Sequence, residues 1–145
     1  MKKPIDITLS TIHVGAARRV VTLAIDGKDL ASQFLSKLHK DDCNQWKFVK
    51  KRIIAVSEHD TFENPITFNH VGDGVFEFKR PGLRLYAFYD EIAGIDHLIL
   101  CTNGGTKNNK KEQNKDIGKA KSIKSRYFQA KQIATTTISL ETFDE

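Results

Sequence analysis

Between Arg18 and Asp26 the chain reads RRVVTLAID, a β-branched, apolar run that stops at Asp26-Gly27 as a turn would, and it predicts a strand. The period then changes. In GKDLASQFLSKLHK, Leu30, Phe34, Leu35 and Leu38 fall on one side of a helix, with Asp26 or Asp29 available to cap it. Trp46, Val49, Ile53 and Val56 follow at spacings of three, four and three after an Asp41-Asp42 start signal. With almost no linker between them, the two segments predict an antiparallel helical hairpin.

Alternation returns after VGDG (Val71 to Gly74). Val75 to Lys79 and Leu83 to Asp90 flank Pro81-Gly82, a pair suited to a type II turn, and Ile95 to Cys101 supplies a third strand, so the region predicts a three-stranded antiparallel meander. TNGGTKNNKKEQNK lacks apolar residues and reads as a loop. Ile117, Ala120, Ile123, Tyr127 and Ala130 then recur at helical spacing within a helix from about Lys110 to Lys131, which Gly118 weakens by about 1 kcal/mol. The order strand, helix, helix, three strands, helix predicts a single α+β domain. Its antiparallel sheet carries the two N-terminal helices and the C-terminal helix on one face and leaves the other face open. The pattern covers about residues 18–131. Residues 1–17 receive no assignment, and 132–145 read either as an added edge strand or as disordered.

A length of 145 residues with 39% hydrophobic content suits one domain with one core. The formal net charge is +5, and its distribution is uneven: residues 101–131 hold nine Lys or Arg against two acids, while the rest holds fourteen against sixteen. A basic C-terminal third points to a polyanionic partner, with a solvated lysine-rich helix as the plainer alternative. Cys43 and Cys101 show no C-x-x-C spacing, and the five histidines show no i, i+4 pairing, so no disulfide framework, metal site or cofactor is expected. No apolar run reaches the length of a signal peptide or a membrane span, and the expectation is a reduced, cytoplasmic protein.

Strand alternation separates the meander into two faces. Phe76, Phe78, Leu83, Leu85 and Ala87 are expected beneath the helices, leaving Glu77, Lys79, Arg84 and Tyr86 on the uncovered face and Arg80 at the hairpin tip. Lys107, Lys110 and Lys111 follow the third strand and could reach the same region. Cations beside a tyrosine suit RNA, because guanidinium and ammonium groups bind phosphates and rings stack on unpaired bases. In cleavage the same cations would stabilise a phosphorane-like transition state. Alternatively, Lys79 and Arg84 pair with Glu77 as an ordinary surface ladder. His70 is read as ordering the VGDG turn, Trp46 as a helix-packing residue and Tyr127 as packing on the sheet.

NHVGDGVFEFKRPGLRLYAFYD followed by LILCTNGGTKNNKKEQNKDIGKAKSIKSR resembles the RelE/ParE toxin superfamily, in particular its phage-associated, HigB-like branch. His70, Gly72, Asp73, Gly74, Glu77, Lys79 and Arg84 carry the first part of the likeness, and Lys107, Lys111, Ile117, Lys119 and Ala120 the second. The resemblance implies the small RelE-like α+β fold, a separate cognate antitoxin as partner, and translation arrest by cleavage of mRNA on the ribosome without a metal. Alternatives are a ParE-like gyrase inhibitor and a non-catalytic basic nucleic-acid-binding domain. It further implies catalytic roles for Arg84, Lys79, Lys107, Lys111 and Tyr86, and RNA contacts from Arg80, Lys110 and Lys115. The general base stays open among Tyr86, Glu77 and a lysine of lowered pKa. Gly104-Gly105 and Lys115-Asp116 depart from the bulkier, aromatic or histidine residues common in the family at those places.

Overall fold

A computed structural model of the chain describes residues 5–106, 109–133 and 135–141. Its elements in chain order are β1 (Asp6–Val14), β2 (Arg19–Ile25), α1 (Leu30–Asp41), α2 (Cys43–Ser57), β3 (Phe68–Gly72), β4 (Val75–Arg80), β5 (Leu83–Ile92), β6 (Asp96–Thr106), α3 (Lys110–Lys131) and β7 (Thr137–Glu141). The strands form one seven-stranded sheet in the order β3-β4-β5-β6-β2-β1-β7. From β3 to β6 it is an antiparallel meander. Strand β2 joins β6 in parallel, β1 runs antiparallel to β2, and β7 pairs in parallel with β1.

The α+β class and the central element order match the sequence pattern, and the helix starts follow local capping chemistry. Asp29 caps α1 by accepting from the Ser32 N–H at 2.8 Å, and Asp42 caps α2 through the Gln45 N–H at 3.2 Å. Asp26 has another task. It accepts from the Asp6 N–H at 3.0 Å and so ties the start of β1 to the turn after β2. Gly82 takes φ +78°, as the third position of a type II turn requires.

Four expectations change. The sheet is mixed rather than antiparallel, because β2 inserts beside β6 in parallel. β3 adds a fourth strand to the meander, while β1 fills residues given no assignment and β7 is the edge strand, one of the two readings of the tail. Third, β6 continues through Asn103-Gly104-Gly105-Thr106, where loop composition had suggested the strand was over; the partner strand β5 supplies ladder hydrogen bonds that override weak local propensity. Finally, α3 lies on the face opposite α1 and α2, so the sheet has no open face.

This last arrangement follows from strand alternation across two cores. Val20, Leu35, Val49, Ile53, Phe78, Leu85, Ala87 and Ile99 pack on the α1–α2 side. Their neighbours in sequence, Val21, Phe88, Leu98 and Leu100, join Ile7, Leu9, Leu23 and Tyr127 beneath α3. Consecutive apolar residues in β2 and β6 thus serve opposite faces, the pattern of a strand buried on both sides.

Leu9 is fully buried under α3, although it lies outside the segment with a readable pattern. Leu9→Ala should therefore cost roughly 2–5 kcal/mol in urea denaturation, the range for a buried leucine truncation. A change within about 0.5 kcal/mol, typical of surface positions, would mean that β1 is not part of the cooperative core.

Candidate functional site

Glu77 and Tyr86 face each other across β4 and β5, as do Lys79 and Arg84. All four belong to the face that α3 covers, and Glu77, Arg84 and Tyr86 are only 3%, 7% and 1% exposed. The expected open cationic face is therefore corrected to a buried polar group, since the first turns of α3 close over it. Arg84 Nε lies 3.2 Å from Glu77 Oε1 but is not aligned to donate to it, so the contact is one of charge rather than a directed hydrogen bond. Arg84 Nη1 donates to the backbone oxygens of Leu83 at 2.7 Å and Arg80 at 2.9 Å. The Glu77 carboxylate also accepts from Asn69 Nδ2 at 3.3 Å and Gln113 Nε2 at 3.2 Å.

A bulge in β6 completes the group. Tyr86 pairs with Asn103 and Ala87 with Cys101, which leaves Thr102 as the extra residue and lets Thr102 and Asn103 both turn toward α3. Asn103 Nδ2 donates to the Asp116 backbone oxygen at 3.1 Å, and the Thr102 hydroxyl donates to Asn103 Oδ1 at 2.8 Å. Gly104 and Gly105 now have a physical account. A Cβ on Gly104 would overlap the Phe34 ring of α1, and one on Gly105 would overlap the Asp116 carboxylate of α3. One glycine serves each face of the sheet.

Burial pushes the Tyr86 hydroxyl up to about 12, with Glu77 and Asp116 adding to the effect and Arg84 opposing it. At neutral pH Tyr86 can donate a proton but not accept one. Asp116 is also raised, by desolvation foremost; Lys119 opposes this, Glu112 adds to it and Lys115 opposes it.

The remaining residues implicated by sequence lie elsewhere. Arg80 faces α2, donating from Nε to Gln45 Oε1 at 2.7 Å and lying 3.8 Å from the Phe48 ring centroid. Lys110, Lys111 and Lys115 are exposed on the first turns of α3, and Lys107 lies outside the described residues. His70 Nε2 accepts from the Gly74 N–H at 3.1 Å and so holds the β3–β4 turn. Trp46 meets His39 edge-on at 4.7 Å between α1 and α2, and Tyr127 is buried with its hydroxyl donating to Asp90 at 2.6 Å. Asp60, Glu91 and His97 bring possible ligand atoms within 4.8 Å of one another on the surface. The Arg18 guanidinium reaches the same carboxylates, at 3.2 Å from Asp60 and 3.4 Å from Glu91, and already supplies their positive charge.

Sequence reasoning missed the division of lysines on α3. Lys121 pairs with Asp73 at 3.2 Å, Lys124 donates to the Asp73 backbone oxygen at 2.8 Å, and Lys131 pairs with Asp90 at 2.7 Å. Lys111, Lys115, Lys119 and Arg126 form a different edge, completed by Ser122 at spacings of four, four, three and four. These four cations are exposed, and among the described residues none of them forms an ion pair. The spacing alone could have found this stripe, which runs about 22 Å along the helix. Only the tertiary structure separates it from the paired lysines.

No protein-family model, no curated protein and no solved structure matches this chain.

Removing one member of a buried ion pair strands the other, so Arg84→Met should cost about 3–5 kcal/mol in urea denaturation. Adding Glu77→Leu should recover at least half of that loss; additive losses would mean the two charges are not coupled. Asp116→Asn should raise the melting temperature at neutral pH. Because the folded state holds the Asp116 proton more tightly than the unfolded state, the wild-type contribution is fully present below the unfolded-state pKa of 3.8 and is lost as pH rises through the raised folded value. The Asn advantage should therefore grow as pH rises above about 4, and a pH-independent difference would exclude titration of Asp116 as its cause.

Proposed function

We propose that this protein is a toxin of the RelE/ParE type that acts on RNA, arresting translation by cleaving mRNA on the ribosome and held in check by a separate antitoxin. The observation that carries the reading is the unpaired stripe Lys111, Lys115, Lys119 and Arg126, a row of exposed cations suited to a phosphate backbone. The sequence resemblance supports it.

For cleavage, the ribose hydroxyl next to the scissile phosphate attacks phosphorus, its proton passes to a base, and the departing oxygen takes a proton from an acid. In the polar group under α3, Arg84 is the cation for the developing phosphorane charge, Glu77 the adjacent carboxylate, and Tyr86, kept protonated, the donor. Lys79 stands across from Arg84 in register, and Lys111 and Lys107 belong to the basic segment that follows. Substrate reaches these groups only if the start of α3 lifts. The fully buried residues of α3 begin only at its middle, with Ala120, so the turns before Ile117 are held mainly by polar contacts such as Gln113 with Glu77.

The burial of Arg84 and Tyr86 favours a second reading, a basic nucleic-acid-binding domain without chemistry. Expression in growing cells separates the two. The toxin reading expects growth arrest with mapped mRNA cuts, both lost in Arg84→Lys while the protein remains folded. Arrest with intact mRNA and DNA-damage signalling would replace it with gyrase inhibition, and RNA affinity without arrest would leave the binding domain. In vitro, charge reversal at Lys115, Lys119 and Arg126 should lower the salt slope of single-stranded RNA binding by about 2, whereas Lys121→Glu and Lys124→Glu should change it less.

A further inference from the structure

Where the stripe passes the sheet, α3 and the end of β2 enclose a cavity of about 320 Å³. Leu23, Ile25, Leu30 and Ile123 make its walls apolar, and Lys28, Lys119 and Arg126 contribute three cations. No carboxylate lines it. The nearest candidate by sequence, Asp29, is committed elsewhere: it caps α1 through Ser32 and accepts from the Thr22 hydroxyl at 2.6 Å. Hydroxyls come from Ser122 and from Thr102, the residue that the β6 bulge turns toward α3.

Three cations beside an apolar recess with no carboxylate in its lining suit a ligand that is anionic at one end and flat and weakly polar at the other. The volume lies at the lower end of the range for small-ligand sites, about 300–1,000 Å³, which suits one base with its sugar. Lys119 and Arg126 belong both to the cavity and to the exposed stripe, so a backbone tracking the stripe is carried past its mouth. We infer that this cavity takes one unstacked nucleotide of a single-stranded RNA, its phosphate held by Lys119, Arg126 and Lys28 and its base lodged against Leu23, Leu30 and Ile123. Apolar walls receive an extruded base without reading its identity, and the Ser122 hydroxyl offers its edge a hydrogen-bond partner. The inference rests on the RNA reading above and adds to it a subsite distinct from the Glu77–Arg84 group.

A short single-stranded RNA carrying a fluorescent aminopurine, whose emission rises when it leaves the stack, tests the site on the intact chain. Wild-type protein should bind with salt-dependent affinity and raise the emission. Ser122→Leu, which fills the mouth from an exposed helix position, should lose about tenfold in affinity, the scale of one base contact, with an unchanged salt slope and no emission rise. Lys28→Glu, on the opposite wall, should also abolish the rise, so the test survives if either variant folds poorly. Lys111→Glu with Lys115→Glu should weaken binding and flatten its salt slope while preserving the rise at saturation. Salt-dependent binding in which Ser122→Leu and Lys28→Glu keep the wild-type emission would overturn the subsite and leave the RNA reading standing. Binding that ignores salt in the wild-type protein would overturn both.

Discussion

The parallel pairing of β2 with β6, from Arg19 opposite Leu98 to Thr22 opposite Cys101, is the seam on which the rest of the molecule depends. It joins the β3–β6 meander to the β7-β1-β2 edge and makes one sheet from segments far apart in sequence. Val20, Val21, Leu98, Ile99, Leu100 and Cys101 are all fully buried there, so the seam contributes side chains to both cores at once. A strand buried on both faces needs cover on both, and the chain meets that need by sending α1 and α2 to one side and α3 to the other.

Covering the second face with a lysine-rich helix creates an unusual interior. Along its later turns α3 presents Tyr127 and Ala130 to apolar partners, while its first turns sit over Glu77, Arg84, Tyr86 and Asn103. Desolvating such groups offsets much of what their contacts contribute, and well-packed apolar residues would stabilise the same space at least as well. The net contribution of the polar group to stability is correspondingly small. The two edges of α3 divide the work in a related way. Lys121, Lys124 and Lys131 fasten the helix to Asp73 and Asp90 on the meander, and the opposite edge keeps its cations exposed to solvent.

Close approach limits which residues can stand in this arrangement. Gly104 admits Phe34 from one layer and Gly105 admits the Asp116 carboxylate from the other, so two adjacent glycines in one strand set the spacing of a three-layer fold. The bulge at Thr102 gives consecutive residues the same orientation, which places Asn103 in the polar group and Thr102 at the neighbouring cavity. Tyr86 and Asp116 are shifted in the same direction by this enclosure, both toward their neutral forms.

Periodicity, caps and turn residues were enough to determine α1, α2, α3, the strands β2, β4 and β5, the α+β class, and which side of the meander Phe78 and Leu85 would occupy, because all of these arise from neighbours a few positions apart. β1 and β3 were not legible, and β7 was legible only as one of two readings of the tail, since short strands with mixed composition become strands only when a partner supplies the ladder. The side chosen by α3 was equally hidden: Ile117, Ala120 and Tyr127 announce a helix with an apolar edge but not which sheet face receives it. That choice turned an expected open patch around Arg84 into a buried ion pair and left the exposed charge on Lys111, Lys115, Lys119 and Arg126. Local sequence determines which side chains share a face, whereas exposure depends on what the rest of the chain places over that face.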